Sequence, residues 1–453
     1  MPPFSRLAAS LAALTALSAC SLYHADPLPD RPDLLGSLDG LTIASADMPL
    51  PELRARAVDP AQPLDMDEVA MIAVARNPDL RAARAKAHVT RAQAFDAGLL
   101  PNPQFSADYG ALASGPGTVP SYTLGLMQDI MPFVTLSSRK DAARAQVRGA
   151  DLDLLWQEWQ VVGQARLLTV RAVEYDKQRQ VLDANRRLFR ERYEATGQAL
   201  RRGDQTMANL VSDLAALTGV ETQLHDLDTL ILGNRQDLNA LLGLEPEARL
   251  ALSPTVALDD PDPAMVRAEL DGLVKRRPDL LALRAGYEAQ EEAVYQAVLN
   301  QFPPLSLGGN RSSDTSNIKT NTASLSIALP IFNQNQGVIA VEKANRETLK
   351  QDYQSRLDTA YAGVGQALEA IAQLREQYES CKESLTALGE ASSLSEQAFK
   401  SGGLDERTYA DLAGARLARQ IEALKLEQSL LEQKIALRIL VGSEVPEMKE
   451  EQP

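Results

Sequence analysis

The residues with the clearest chemistry stand near the N-terminus. Arg6 precedes a mostly apolar run from Leu7 to Leu17, and Leu17-Ser18-Ala19-Cys20 follows. A basic start, an apolar stretch and a small residue before cysteine are the pattern of a bacterial lipoprotein signal, cleaved to leave Cys20 as the mature N-terminus. The Cys20 thiol then takes a diacylglyceryl group and the freed amine a third acyl chain. A non-lipidated secretory signal with an incidental cysteine is the alternative; the leucine three before and the alanine one before Cys20 favour lipidation. Ser21 follows, not the aspartate that holds many lipoproteins at the inner membrane, so outer-membrane sorting is expected.

No second reactive constellation accompanies it. Cys381 has no intramolecular partner once Cys20 is acylated, and a buried thiol in a helix seam is its expected role. His24, His88 and His225 are scattered, and there is no CxxC pair, so no metal site is expected. The sequence holds no GxSxG elbow, no GxxxxGK phosphate loop and no HExxH pair. It reads as a protein without catalysis and without a cofactor beyond the covalent lipid. The net charge is -15, with basic and acidic residues interspersed, which disfavours nucleic acid as a partner.

The elements that frame this chain are written twice. Arg76-Asn77-Pro78-Asp79-Leu80 recurs as Arg276-Arg277-Pro278-Asp279-Leu280, and Gln198-Ala199, Gly203 and Leu242-Gly243 recur as Gln397-Ala398, Gly402 and Val441-Gly442. A period of roughly 200 residues reports a duplicated architecture. Of the 25 prolines none lies between Pro132 and Pro246 or between Pro330 and Pro446. Proline breaks helix interiors, so each gap predicts long helices, broken at Arg202-Gly203-Asp204 and Ser401-Gly402-Gly403 where glycine ends a helix. Residues 137–200 as one helix would run on the order of 100 Å. Near the C-terminus, Leu417, Ile421, Leu424, Gln428, Leu431 and Ile435 form one seam, and Leu430, Leu437 and Leu440 a second. Two seams predict two neighbouring helices.

Four short segments, at about 104–111, 121–130, 305–312 and 323–331, alternate small or polar with apolar residues and are predicted strands. Leu325, Ile327 and Leu329 are expected on one face of the last. A small soluble sheet is the alternative reading of these strands. Beyond the signal no run reaches the 18 or more apolar residues of a membrane helix, so a membrane span must be a closed barrel. Four strands cannot close one, since the smallest need about eight. Three chains would supply twelve, with the long helices continuing the barrel as a tunnel.

These residues resemble the TolC-like outer membrane efflux factors. The resemblance runs from about Asp65 to Gly442 and rests on the Asn77-Pro78-Asp79-Leu80 and Arg277-Pro278-Asp279-Leu280 helix starts, the paired strands, and the corner Pro330-Ile331-Phe332-Asn333-Gln334-Asn335-Gln336-Gly337. It implies a mostly α fold with a small transmembrane β part: a homotrimer with a 12-stranded barrel in the outer membrane and a periplasmic α-helical barrel. It also implies a passive exit duct, docked to a periplasmic adaptor and an inner-membrane pump. The corner is most similar to the subgroup serving heavy-metal cation pumps of the resistance-nodulation-division type; turn chemistry alone also explains its Asn and Gly. A drug-efflux or type I secretion duct of the same fold, or a lipid-anchored periplasmic coiled-coil scaffold, are the alternatives.

The organisation expected is a signal peptide over 1–19, a lipidated extended arm over 20–63, a first efflux repeat over 64–246, a second over 247–445, and a polar tail over 446–453. In the resembled family the periplasmic end is gated by acidic residues after each turn glycine. The candidates are Asp204, Asp213, Asp405 and Asp411, with the paired Arg201 and Arg202, or Arg407, as a latch to a neighbouring helix. The family's usual spacing is imperfect here, since Asn209 stands where the first repeat would carry its aspartate. For Asp204 a capping role just beyond Gly203 is preferred, and for Asp411 the gate. The tips around Gly203, Gly402 and Gly403 are expected to meet the adaptor.

Overall fold

The computed structural model describes residues 24–43, 48–442 and 445. The signal segment, Cys20 and the tail 446–453 lie outside the described residues. The chain divides into two units between residues 35 and 36. In the first, residues 24–34 are exposed and form neither helix nor strand.

The second unit opens with Met48, Leu50 and Leu53, all buried. Helix α1, Met66–Arg76, starts in a reciprocal capping box between Asp65 and Glu68. Its residues Val69 to Val74 are all buried, and Asn77 ends it. The Asn77 side chain then caps α2, Pro78–Ala97, accepting from Leu80 N at 2.9 Å. Strands β1, Gln104–Gly110, and β2, Ser121–Asp129, lead to α3, Leu136–Arg202, and α4, Met207–Leu241. The second repeat supplies α5, Pro278–Leu299, strands β3, Leu305–Ser313, and β4, Lys319–Ile327, and helices α6, Gln336–Lys400, and α7, Glu406–Val441.

Helix α3 holds 67 residues, a length of about 100 Å, and it packs against α1, α2, α4, α5 and α7. Its apolar residues Val181 and Leu182 join Val220, Leu224 and Leu227 of α4 and Ile421 of α7. The two seams read on α7 both find their helix. Leu417, Ile421, Leu424, Leu431 and Ile435 meet α3 and α4, while Leu430, Leu437 and Leu440 meet Val364, Ala367, Leu368 and Ile371 of α6. Near the far end of this contact Trp159 Nε1 donates to the Ile439 carbonyl at 3.1 Å.

Both repeats lock the same corner differently. Asn77 Nδ2 donates to the Leu241 carbonyl at 3.0 Å. Arg277 Nη1 donates to the Leu440 carbonyl at 3.1 Å, bonds Asp279 through Nε and Nη2, and stacks over Trp156.

The four strands form one antiparallel sheet in the order β1-β2-β3-β4. The last strand corrects the expectation of 323–331: it runs from Lys319 to Ile327, and Leu329 lies beyond it. A turn closed by Asp314, with Asn317 left-handed, sets Lys319 opposite Ser313 and so starts the pairing early. The ladder stops near Pro330 on one strand and Pro303 and Pro304 on the other, since proline offers no N–H. The other three strands fall within a residue of expectation.

Candidate functional site

Two regions could do work: the sheet and the helix tips. In the sheet, directly paired residues share a face. Phe105, Leu126, Gly309 and Ala323 form one row, and Gln128, Leu307 and Leu325 the next, with Leu305 opposite Ile327 beyond. This face is apolar yet exposed, at 69% for Phe105, 53% for Leu126 and 61% for Leu325. The opposite face carries Ser106, Asp108, Thr123, Asp129, Asn310 and Thr322. Apolar on one side and polar on the other, at period two, is the signature of a barrel strand between lipid and lumen. Among the described residues β1 pairs only with β2 and β4 only with β3, so both outer edges of the sheet lack a partner strand there. Exposed Phe133, Phe302 and Phe332 flank the end nearest the helices, where an aromatic girdle would meet the membrane surface. Among the described residues no helix is long and apolar enough to cross a membrane.

At the other end of the helices, Gly203 and Gly402 adopt left-handed conformations, with φ of 83° and 76°, as the sharp reversals require. The Asp204 N–H closes the end of α3 on the Ala199 carbonyl at 2.9 Å. The capping role expected for Asp204 is not found. Thr206 caps α4 instead, accepting from Asn209 N, because it is the residue whose extended backbone immediately precedes the helix. The exposed Asp204 carboxylate lies 3.5 Å from Arg202 Nε. Asp405 caps α7, accepting from Thr408 N at 2.9 Å and Thr408 Oγ1 at 2.7 Å. The Thr408 hydroxyl, then its N–H, hold the Asp405 carboxyl below its ordinary value. Gly403 N–H bonds the Ala398 carbonyl at 2.8 Å, and Phe399 stacks on Tyr409 with ring centroids 5.1 Å apart.

Three of the expected residues meet around one the sequence reading missed. Asp213 has no exposed side-chain surface. It accepts from Arg192 Nε at 2.7 Å and from Thr196 Oγ1 at 2.6 Å, with Arg407 Nη2 at 3.4 Å. Arg192 also donates to Asp411, whose carboxylate is 59% exposed. One arginine therefore ties α3 to both returning helices. Its only sequence signal is membership of an Arg-rich run from Arg186 to Arg192, which does not single it out. Among the described residues no cluster of His, Cys, Asp or Glu could hold a metal, and Cys381 is a buried free thiol.

An amphipathic open-edged sheet is joined here to very long helices. Residues 270–443 match the family model described as outer membrane efflux protein. No curated protein matches the chain. Among solved structures, the outer-membrane channel OprN shares 18% identity and a TM-score of 0.69 over 93% of this chain and 99% of that one. The CmeC outer membrane channel of Campylobacter jejuni shares 16% and 0.72 over 95% and 96%. The open state of the Neisseria gonorrhoeae MtrE outer membrane channel shares 17% and 0.67 over 93% and 97%. The chain has the TolC-like fold of these outer-membrane channels. That family and these neighbours are channels rather than enzymes.

Proposed function

We propose that this protein is the outer-membrane exit duct of a tripartite efflux system. The observation that carries the reading is the sheet: four strands, one exposed apolar face, one polar face and two unpartnered edges. Three copies joining β4 to β1 close twelve strands around a polar lumen, above the minimum of about eight. The long helices continue the passage through the periplasm. Their tips around Gly203, Gly402 and Gly403 face a periplasmic adaptor, and an inner-membrane pump of the resistance-nodulation-division type supplies the energy. Asp411 and Asp405, with Asp204, line the periplasmic opening, while Arg407 and Asp213 hold its helices together. Cys20 carries the lipid that anchors the N-terminus in the outer membrane.

Heavy-metal cations are the cargo this reading favours. Among the described residues the charged ones on the polar face of the sheet are Asp108 and Asp129, so threefold repetition would give the barrel lumen two rings of acidic charge and none of basic charge. A lumen of one sign concentrates the opposite ion.

The test is the oligomer mass of the purified protein together with its single-channel conductance in planar bilayers. A trimer with steady, cation-selective conductance supports the duct. A non-conducting monomer, released from membranes once Cys20→Ala removes the anchor, overturns it in favour of a periplasmic scaffold.

A further inference from the structure

The apolar face of the sheet is interrupted at one level. Above the row of Phe105 and Leu126, the next row reads Ala107, Leu124, Arg311 and Asn321, and the last reads Tyr109, Tyr122, Ser313 and Lys319. The first repeat thus ends its outward face in two tyrosines, and the second in Lys319 beside Ser313, with Arg311 one row below. From Leu305 to Arg311 the strand climbs roughly 20 Å at about 3.3 Å per residue. With barrel strands tilted by about 40°, that is roughly 15 Å along the membrane normal, and Arg311 and Lys319 close the end of the apolar face away from the helices.

Both are exposed, and among the described residues neither side chain has a hydrogen-bond or ion-pair partner. The carboxylates nearest in the strands and turn do not pair with them. Asp314, in the β3–β4 turn, accepts from Ser316 N at 2.8 Å and Ile318 N at 2.9 Å. Asp108 belongs to the opposite, polar face. Arg311 and Lys319 lie on adjacent strands, offset by one residue pair on the same face, so their Cα atoms are about 7–8 Å apart. A guanidinium and an ammonium at that spacing can share one phosphate, the first as a planar fork and the second as a point charge.

We propose that Arg311 and Lys319 form a binding site for the phosphate head groups of lipids in the leaflet that surrounds the strand tips. The inference rests on the reading of the sheet as a membrane barrel with its apolar face to lipid. In the trimer, three basic patches alternate with three Tyr109–Tyr122 patches around the rim. The tyrosines sit at head-group depth by amphipathicity, and the basic patches select anionic lipid. The occupant is lipid because the two cations continue a lipid-facing surface and no described side chain pairs with them.

The experiment uses the full-length trimer in nanodiscs containing either zwitterionic phospholipid alone or the same lipid with bisphosphorylated lipid A. Native mass spectrometry counts lipid A retained after release. Wild type is expected to retain it in preference to its dephosphorylated form. Arg311→Gln and Lys319→Gln should each lower retention roughly fivefold, as expected for one charge near a lipid surface. Arg311→Glu with Lys319→Glu should abolish the preference while trimer mass and conductance persist. Retention unchanged in the double glutamate variant, or equal for phosphorylated and dephosphorylated lipid, overturns the proposal. Failure of wild type to insert as a conducting trimer would instead strike the duct reading itself.

Discussion

Arg192 of α3 grips Asp213 of α4 through two nitrogens, Nε at 2.7 Å and Nη2 at 2.6 Å from the same oxygen. Neither side chain has more than 7% of its surface exposed. Burying such a pair gains little over apolar packing, but removing one member strands the other charge. The contact is therefore a stiff clasp: the tip helices separate only if the whole cluster is rehydrated.

Arg192→Ala should cost about 3–5 kcal/mol of local stability at the tip, the scale for a stranded buried charge. Hydrogen exchange over α3 and α4 near the tip would show faster opening, and conductance of the trimer should rise. Asp411→Asn should cost only about 0–1 kcal/mol, because its carboxylate is largely in water. A change in conductance without loss of protection is its expected signature.

Gly308 should tolerate no side chain. A Cβ there would sit 2.3 Å from the Leu126 carbonyl oxygen and 3.1 Å from the Met127 Cα, both on the paired strand. Gly308→Val should push β2 and β3 apart, with overpacking of roughly 1–3 kcal/mol or more in each of three copies. Loss of heat-resistant trimers on gels is expected, whereas Ser324→Ala in the neighbouring strand should leave them intact.

The two repeat corners should differ in cost. Asn77→Ala removes a helix cap and a bond to the Leu241 carbonyl, about 1–2 kcal/mol. Arg277→Ala also leaves Asp279 buried without its fork, for about 3–5 kcal/mol. Urea unfolding of the two variants should rank them in that order.

Glu174 gives a pH dependence of stated sign. It is fully buried, with one oxygen on Lys177 Nζ at 2.7 Å and Oε2 without a partner. Burial pushes its carboxyl above the ordinary value, outweighing the downward pull of Lys177. The folded state thus holds this proton more tightly than the unfolded chain. Its contribution is largest at acid pH and is lost as pH rises from the ordinary carboxylate range through the raised folded value. Glu174→Gln should remove that decline, so the variant gains on wild type as pH rises from acid to neutral. Thermal unfolding at the two pH values checks it.

Much of this architecture is local and therefore readable along the chain. The proline gaps around 132–246 and 330–446 announced α3 and α6, because one proline would have broken either helix. Gly203 and Gly402 marked both tips through their left-handed backbone, and the two seams of α7 announced two neighbours since helical spacing fixes which side chains share a side. Strand β4 was misplaced toward its C-terminus. The apolar alternation around Leu325, Ile327 and Leu329 runs on past the pairing, whereas the true start at Lys319 depends on the Asn317 turn and on Ser313 opposite.

The sequence by itself determined the repeat, the helices, their turns and the existence of paired strands, because helix breaking, capping and periodicity act within a few residues. Only the tertiary structure decided which charges meet. Arg192 becomes a clasp because three helices converge on it, bringing together residues 213, 407 and 411. Arg311 and Lys319 become a patch because the strand register sets them on one face beside Leu124 and Tyr122. Hydrogen-bonded ion pairs need their atoms within about 3 Å, so their partners are chosen by packing across distant segments and not by spacing along the chain.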